Sequence, residues 1–417
     1  MRIFFSVGEP SGDIHGANLV RELRQSNRDV ECVGYGGPKM RAAGCELHED
    51  LTTYAVMWFA RVLLNLHHFW RFYRSAEAYF RAQRPDAVVL IDYPGFNWWI
   101  ARAAKRHDIP VFYYGVPQIW AWAPWRIKKM RRLVDHALCK LPFEASWYGE
   151  RGCPATYVGH PFFDETNNHQ LDREFVAQQA KQPNRLVTIL PGSRTQEVTS
   201  NLRWFIKAAE LVHQNCPNTR FAIASFNEKQ AKLARQIVAN RSLPVEIHIG
   251  KTPELIHLAT CCMACSGSVS LELLHHHKPT VILYWVSGLA YFVQKRFRTV
   301  KYITLVNLLA ADDLFPKHIT PYDPNAPGAD QIPFPEYVTC GDESKRIAGH
   351  ITEWLTDREK LESRVTILKD LAEQHGRPGA STRAAEYILA TLIGNKPTIA
   401  APHFASGASS PRKRLPR

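Results

Sequence analysis

The sequence predicts an α/β protein built from two Rossmann-like domains, each a parallel sheet covered by helices, that face one another across a cleft. Three observations carry this. Short runs of apolar, β-rich residues alternate with helical periods, as they do when helices cover both faces of a parallel sheet. The alternation breaks at a polar stretch near residues 164–185 and then starts again. Each half also opens with a glycine-containing loop directly after its first strand. A chain of 417 residues is long enough for two such cores.

In the first half, Ile3–Val7 reads as a buried strand stopping at Gly8, followed by a helix from about Ile14 to Gln25. Val30–Val33 is a second strand, ended by the turn Gly34-Tyr35-Gly36-Gly37-Pro38. Ala87–Ile91 is a third, followed by a helix over Phe96–His107 and a strand at Val111–Tyr114. The polar stretch 164–185 has no strand pattern and reads as a linker with room for a short helix.

The second half repeats the scheme: strand Leu186–Leu190, helix Gln196–His213, strand Arg220–Ala224, helix Lys229–Ala239 and strand Val245–Ile249. A strand at Met263–Cys265 then runs into Ser266-Gly267-Ser268 and a helix, before a strand at Thr280–Tyr284. Prolines 316, 321, 324, 327, 333 and 335 mark an irregular surface insertion near 311–340. Helical patterns resume from Ser344 to about Leu392. The expected organisation is therefore an N-terminal domain over 1–163, a linker over 164–185, a C-terminal domain over 186–394 and a disordered basic tail over 395–417.

Lys and Arg total 52 against 39 Asp and Glu, a net charge of +13, which favours an anionic partner without choosing one. Nine cysteines in a long chain without a spaced framework argue for reduced thiols in a cytosolic compartment. The N-terminus turns too early for a signal peptide, and no apolar run approaches the roughly 20 residues of a spanning helix.

Sheets of this kind bind ligands at the carboxyl ends of their strands, so chemistry is sought there. Gly8-Glu9-Pro10-Ser11-Gly12-Asp13-Ile14-His15-Gly16 follows the first strand and opens the first helix. Its glycines are four apart, so it is not the dinucleotide fingerprint. Glu9, Ser11, Gly12 and Asp13 form a loop that could meet a polar ligand, with His15 just inside the helix. Ser11 or Asp13 as an ordinary helix cap is an equally good account. Asp92, at the end of the buried run Ala87–Ile91, stands where a general base is wanted, although it too could simply cap the next helix.

In the second half, Gly192-Ser193-Arg194 offers backbone N–H groups and a permanently charged fork suited to a diphosphate. Ser266-Gly267-Ser268 repeats the design, and Glu272, a turn further on, could accept ribose hydroxyls. As plain structure, Ser268 is a cap and Glu272 offsets the helix dipole. Two such loops in one half favour a nucleotide site.

Other motifs point away from chemistry. Cys262-Met263-Ala264-Cys265 is a lone pair in an apolar strand, for which a buried structural role is expected. His275-His276-His277 point in different directions on a helix, and Asp312-Asp313 has no further ligands nearby, so neither metal nor cofactor is expected. Two aromatic-basic stripes complete the inventory. One follows helical spacing through Phe59, Val62, Leu63, Leu66, Phe69, Trp70 and Tyr73, and the other spans Trp285–Phe297 with Lys295, Arg296 and Arg298 behind it. Core packing accounts for most of these residues, but the pair also suits an acylated substrate or an anionic membrane.

Taken in order, these segments resemble the lipid A disaccharide synthases, a family of GT-B glycosyltransferases. The resemblance runs over roughly residues 2–310. It takes in Gly8–Asp13, Ile91-Asp92-Tyr93-Pro94, Pro117-Gln118-Ile119-Trp120-Ala121-Trp122 and Leu141-Pro142-Phe143-Glu144. Val158-Gly159-His160-Pro161, Leu190–Arg194, Ser266–Glu272 and Leu305-Val306-Asn307-Leu308-Leu309-Ala310 continue it. It implies inverting transfer of 2,3-diacylglucosamine from its UDP donor to 2,3-diacylglucosamine 1-phosphate, giving the disaccharide 1-phosphate and UDP. It further implies work at the cytoplasmic face of the inner membrane and a homodimer exchanging C-terminal elements. No RNA-recognition motif is visible and basic charge alone is a weak signal, so no nucleic-acid partner is expected. On this resemblance Asp92 is the catalytic base with His15 as second choice, Glu272 holds the ribose and Asn307 lies near the donor.

Three departures from the family pattern stand out. Gly95 replaces a usual second aspartate, Trp58 and Arg61 replace a usual glycine and glutamate, and Pro335-Glu336-Tyr337-Val338 is a displaced remnant of a Pro-Glu-Phe-Leu-Gln-like segment. Alternatives are a diverged UDP-sugar transferase or epimerase, and a non-catalytic nucleotide-gated membrane binder.

Overall fold

The computed structural model describes residues 1–55, 66–166, 170–239, 241 and 243–394. The first sheet contains β1 (Arg2–Val7), β2 (Glu31–Gly36), β3 (Glu46–Asp50), β4 (Ala87–Ile91), β5 (Val111–Tyr114), β6 (His136–Cys139) and β7 (Ala155–Tyr157). Their order is β3-β2-β1-β4-β5-β6-β7, and every neighbouring pair is parallel. The second sheet contains β8 (Arg185–Leu190), β9 (Thr219–Ser225), β10 (Val245–Ile249), β11 (Cys261–Cys265), β12 (Thr280–Trp285) and β13 (Glu336–Thr339), ordered β10-β9-β8-β11-β12-β13 and again all parallel. The expected architecture of two Rossmann-like sheets is the one the chain forms. Strand order reverses between β1 and β4 in one sheet and between β8 and β11 in the other. The crevice at such a switch point is where ligands bind in open α/β sheets.

Central strands are apolar on both faces because helices cover both. Ala87–Ile91 is buried at every residue, as is Cys261–Cys265. Cys262 and Cys265 take the buried structural place expected of them, and burial pushes both thiols well up, Cys262 to about 12. The strands that sequence reading misses are β3, β6, β7 and β13. Two of these are first-sheet edges with no fully buried residue. β6 is too short for a period to register, and β13 lies inside the proline-rich segment that was expected to be irregular throughout. β2 also runs on to Gly36, through the glycines expected to end it.

Three segments tie the sheets together. The helix Phe162–Thr166 opens the expected linker and buries Phe163 in a core under the second sheet. Residues 299–314 lean on the first sheet's core through Val300, Tyr302 and Leu308. The last helix, Ala380–Leu392, buries Ala384, Ala385 and Ile388 beside β1, β4 and β5. Polar contacts fix that last helix: Thr382 Oγ1 donates to Glu22 at 2.8 Å, and Arg383 Nε donates to the Val158 carbonyl at 2.7 Å. The division expected from sequence assigns residues 186–394 to one domain, yet 380–392 completes the core of the other. Its apolar face matches the uncovered side of the first helix, Pro10–Ser26, and nothing in local sequence names that partner.

The described part of the first aromatic stripe is mostly core, as expected, and the second stripe departs from core packing. Phe59, Val62 and Leu63 lie outside the described residues, as do Trp58, Arg61 and the tail 395–417. In the helix Leu66–Gln83, Phe72 is buried and Phe69 and Tyr73 pack on the core, but Trp70 is 59% exposed under the Arg74 guanidinium. The helix Gly288–Phe297 has no buried residue at all.

Candidate active site

At the first switch point the backbone turns sharply. Asp92 and Tyr93 both have left-handed backbone, with φ of +47° and +41°, a conformation costly for residues with a Cβ. Tyr93 then leads into the helix Pro94–Arg106, which starts with proline at a position needing no N–H. Asn97, fully buried, clamps the turn. Its Nδ2 donates to the carbonyls of Asp92 (2.8 Å), Ile91 (3.2 Å) and Ser6 (3.2 Å), while Ser6 Oγ donates to its Oδ1 at 2.7 Å. Tyr113 OH adds a 2.7 Å bond to the Asp92 carbonyl. Gly8 is required beside this turn, since a Cβ there would stand 2.4 Å from the Tyr93 ring.

The Asp92 carboxylate so placed meets Lys140, whose Nζ lies 3.2 Å from Oδ1, with side chains 20% and 15% exposed respectively. Burial pulls Lys140 down, but Asp92, Glu144 and Glu9 outweigh it and hold the amine above the usual lysine range. Glu144 carries the Lys140 loop. It is buried, accepts from Lys140 N at 3.0 Å and Leu141 N at 2.9 Å, and takes the Trp120 indole N–H at 3.0 Å on its other oxygen. The Trp-Ala-Trp and Leu-Pro-Phe-Glu motifs thus form one support for the Asp92–Lys140 pair.

Glu9 lies next to this pair. Burial, then the Asp92 charge, push it above the usual carboxylate range, while Arg194 and Lys140 pull it back. The Arg194 influence comes from the second sheet, so the charged ends of the two halves face each other here. His15 is tied elsewhere: its Nδ1 lies 2.9 Å from Glu165 Oε1, and its ring stands edge-on to His160. His160 is held well below the usual histidine range by burial, then by Lys140 and His15.

Asp13 requires a correction. Its carboxylate accepts the backbone N–H groups of Gly37 (2.9 Å), Lys39 (2.9 Å) and Met40 (3.0 Å), capping the helix Pro38–Ala42 from outside. It is buried and spent on that cap, leaving nothing for a ligand. Ser11 is exposed and Gly12 is buried against Val7 and Asp92.

In the second half the two loops lie at the ends of β8 and β11. Gly192 has φ +114°, a backbone only glycine adopts easily. The N–H groups of Ser193 and Arg194 are not open: Glu197 Oε2 accepts both, at 3.0 and 3.1 Å, and its Oε1 meets the Arg194 guanidinium at 3.1 Å. A carboxylate thus occupies the anion nest, and the Arg194 side chain is 80% exposed above it. Gly267 and Ser268 face solvent, and Ser268 makes no cap, contrary to its plain structural reading. Ser266 Oγ donates to the Ile303 carbonyl at 3.4 Å. Glu272 is largely shielded, and burial, then Glu254, push it up to about 7.

Asn307 also requires a correction. It is buried, its Nδ2 donates to the Phe334 carbonyl (2.8 Å) and to Glu336 (3.3 Å), and its Oδ1 accepts from Phe334 N. Glu336 further accepts Ile303 N and Thr304 N at 2.8 and 2.9 Å. Both amide ends of Asn307 are used, so it props the 303–309 segment and offers nothing to a donor.

A family model described as lipid-A-disaccharide synthetase matches residues 3–326. The chain belongs to that family. A lipid-A-disaccharide synthase of Geobacter metallireducens is 32% identical over 397 residues, covering 95% of this chain and 98% of its own. One from Methylobacillus flagellatus is 34% identical over 316 residues, covering 75% of this chain and 83% of its own. Among solved structures, the S. aureus MnaA–UDP co-structure matches with a TM-score of 0.63 and 14% identity, over 95% of this chain and 99% of that one. A UDP-GlcNAc 2-epimerase from Neisseria meningitidis matches with a TM-score of 0.60 at 15% identity, over 95% and 100%. At those identities only the fold is shared.

For a lipid-A-disaccharide synthase, the residues that sequence reasoning overlooked are Asn97, Lys140 and Glu197. Asn97 had a signal, being a lone amide in the apolar stretch Phe96–Ile100. Lys140 had another, a lysine directly before the recognised motif Leu141-Pro142-Phe143-Glu144. Glu197 had the weakest, lying one turn inside a helix where a carboxylate usually only offsets the dipole.

Proposed function

We propose that the chain transfers 2,3-diacylglucosamine, with inversion, from UDP-2,3-diacylglucosamine to the 6-hydroxyl of 2,3-diacylglucosamine 1-phosphate. The observation that carries this is the Asp92–Lys140 pair, held in a strained turn at one switch point and facing Arg194 at the other through Glu9. The acceptor oxygen bonds to the anomeric carbon and its proton passes to Asp92. The bond from that carbon to the diphosphate breaks, and its electron pair leaves on UDP. Lys140 keeps the Asp92 carboxylate oriented between turnovers. Arg194 and the N–H groups of Ser193 and Arg194 take the diphosphate once Glu197 gives way, and each such donor contributes on the order of a hundredfold or more in rate. Ser266, Gly267 and Ser268 lie along the donor, and Glu272 accepts the ribose hydroxyls. Glu9, Ser11 and Gly12 border the acceptor, and His15 orders that wall through Glu165.

The first domain then takes the acceptor and the second the UDP donor. The enzyme works as a homodimer peripheral to the cytoplasmic face of the inner membrane. Support for dimer exchange comes from the short hinge Gly376-Arg377-Pro378-Gly379: a helix reaching the first sheet by so brief a connection can serve its own chain or a second copy. Light scattering of the intact chain reports the oligomer.

The deciding assay presents purified protein in detergent micelles with UDP-2,3-diacylglucosamine, with and without the acceptor, and reads products by mass spectrometry. Acceptor-dependent disaccharide 1-phosphate plus UDP is the expected result. UDP release without disaccharide would sink the reading.

A further inference from the structure

Away from the Asp92 turn, a cavity of about 860 Å³ opens between Trp120 and Trp147 on one side and residues 291–302 and 315–332 on the other. Its size suits a small-molecule ligand, and its charge is one-sided. Arg151, Lys295, Arg296, Arg298, Lys301 and Lys317 line it, against the carboxylates of Asp323 and Glu336. Glu336 is buried and spent on Ile303, Thr304 and Asn307. Asp323 is exposed and accepts the Asn325 N–H.

Among the described residues, Lys295, Arg296, Arg298, Lys301 and Lys317 have no carboxylate within 4.0 Å. Arg298 is half-buried in that state, and burial lowers it despite the pull of Glu336 and Tyr291. A half-buried guanidinium with no carboxylate in contact, only the more distant pull of Glu336, gains from an anion that reaches it.

The helix Gly288–Phe297 forms one wall of this cavity and is itself uncovered. Leu289 and Phe292 are 77% and 71% exposed, and Val293 and Phe297 are about half exposed. The four fall at i, i+3, i+4 and i+8, on one helical face; Arg296, at i+7, shares that face and Lys295 lies off it. Phe315, on the cavity wall, adds exposed apolar surface. An apolar face adjoining a basic cavity is complementary to a molecule with acyl chains at one end and a phosphate at the other.

We propose that this cavity binds the phosphomonoester head of an acylated lipid, with Arg298, Lys301 and Lys317 on the phosphate and the face Leu289–Phe292–Val293–Phe297 against the acyl region. The acceptor named above is such a lipid, and to that extent the inference rests on the proposed function. A phosphomonoester is preferred to a phosphodiester because several unpaired cations converge, and the additional oxygen and charge give each of them a partner.

The test is flotation of the full chain with phosphatidylcholine vesicles containing phosphatidic acid, a phosphomonoester, or phosphatidylglycerol, a phosphodiester, at matched surface charge. Phosphatidic acid should bind roughly tenfold more tightly, the scale of one charge-assisted hydrogen bond. Arg298→Gln should abolish that preference, and so should Lys301→Gln with Lys317→Gln, a pair of exposed positions that keeps the test valid if the first variant misfolds. Phe292→Ser should weaken binding to every vesicle, including neutral ones. Unchanged UDP binding checks the fold of each variant. Equal binding of the two anionic lipids, or an intact preference in the variants, overturns the proposal. So does displacement by inorganic phosphate alone, which would make this a free-phosphate site. Loss of the preference in the variants with no disaccharide from the wild type upholds the cavity and sinks the transferase; disaccharide synthesis with no preference does the reverse.

Discussion

The side-chain amide of Asn97 donates to the main-chain carbonyl of Asp92 at 2.8 Å, across a turn in which Asp92 and its neighbour Tyr93 both have positive φ. Strain of this kind costs on the order of 1–3 kcal/mol per residue and persists only where surroundings over-determine it. Asn97→Ala should therefore let the turn relax. The expected outcome is a fall in kcat of roughly tenfold to a hundredfold, the scale of a small misplacement of a catalytic group. UDP affinity, measured by calorimetry, should not change. Wild-type kcat in Asn97→Ala would mean that the turn holds without the clamp.

Asp92→Asn removes the proposed base with little change of shape. Turnover should drop by roughly 10²–10⁴-fold, the usual range for a general base, while UDP binding and thermal unfolding stay close to wild type. Lys140→Met should cost less, and Lys140→Arg should recover part of the loss because it restores the charge beside Asp92. Steady-state assays of the three variants, run together, order the two roles.

If Glu272 holds the ribose as proposed, UDP binding should depend on pH. Its pKa is pushed up to about 7, and only the ionised carboxylate can accept both ribose hydroxyls. The Kd for UDP should therefore fall by about tenfold per pH unit between roughly pH 5 and the pKa, then level off. Glu272→Gln should flatten that profile. Titration calorimetry across this range, in buffers of different ionisation heat, tests both statements.

The same shift has an opposite consequence for stability. Between its ordinary 4.5 and about 7, Glu272 carries more proton in the folded chain than in the unfolded one. Its contribution to folding is therefore lost as pH rises through that window. Glu272→Gln should be relatively more stable than wild type above pH 7 than near pH 5, as read by urea midpoints.

Asp164 caps the last helix from 215 residues away, its carboxylate accepting Gly379 N at 2.6 Å, Ala380 N at 3.1 Å and Ser381 N at 2.8 Å. Asp164→Ala should destabilise the protein by about 1–2 kcal/mol, the upper range for a helix cap. It should also raise proteolysis at the hinge before Ala380. Limited digestion followed by mass spectrometry would locate the cut, and protection equal to wild type would show that packing alone retains the helix.

What the sequence determined by itself was local. Apolar runs such as Ala87–Ile91 set strands because both faces must be buried, and glycines at 8 and 192 marked loops at strand ends because those turns exclude a Cβ. Those signals located Asp92, Arg194 and Glu272 and pointed to the family. Tertiary structure decided which polar groups remain available, because a hydrogen-bond partner can come from anywhere in the chain. Asp13 is consumed by backbone 24 to 27 residues ahead, Asn307 by a strand inside the proline-rich segment, and Asp92 gains Lys140 from 48 residues on. The last helix joins the first helix through a contact spanning 360 residues. Periodicity tells a helix which face is apolar, but shape and charge complementarity between finished elements choose what that face covers.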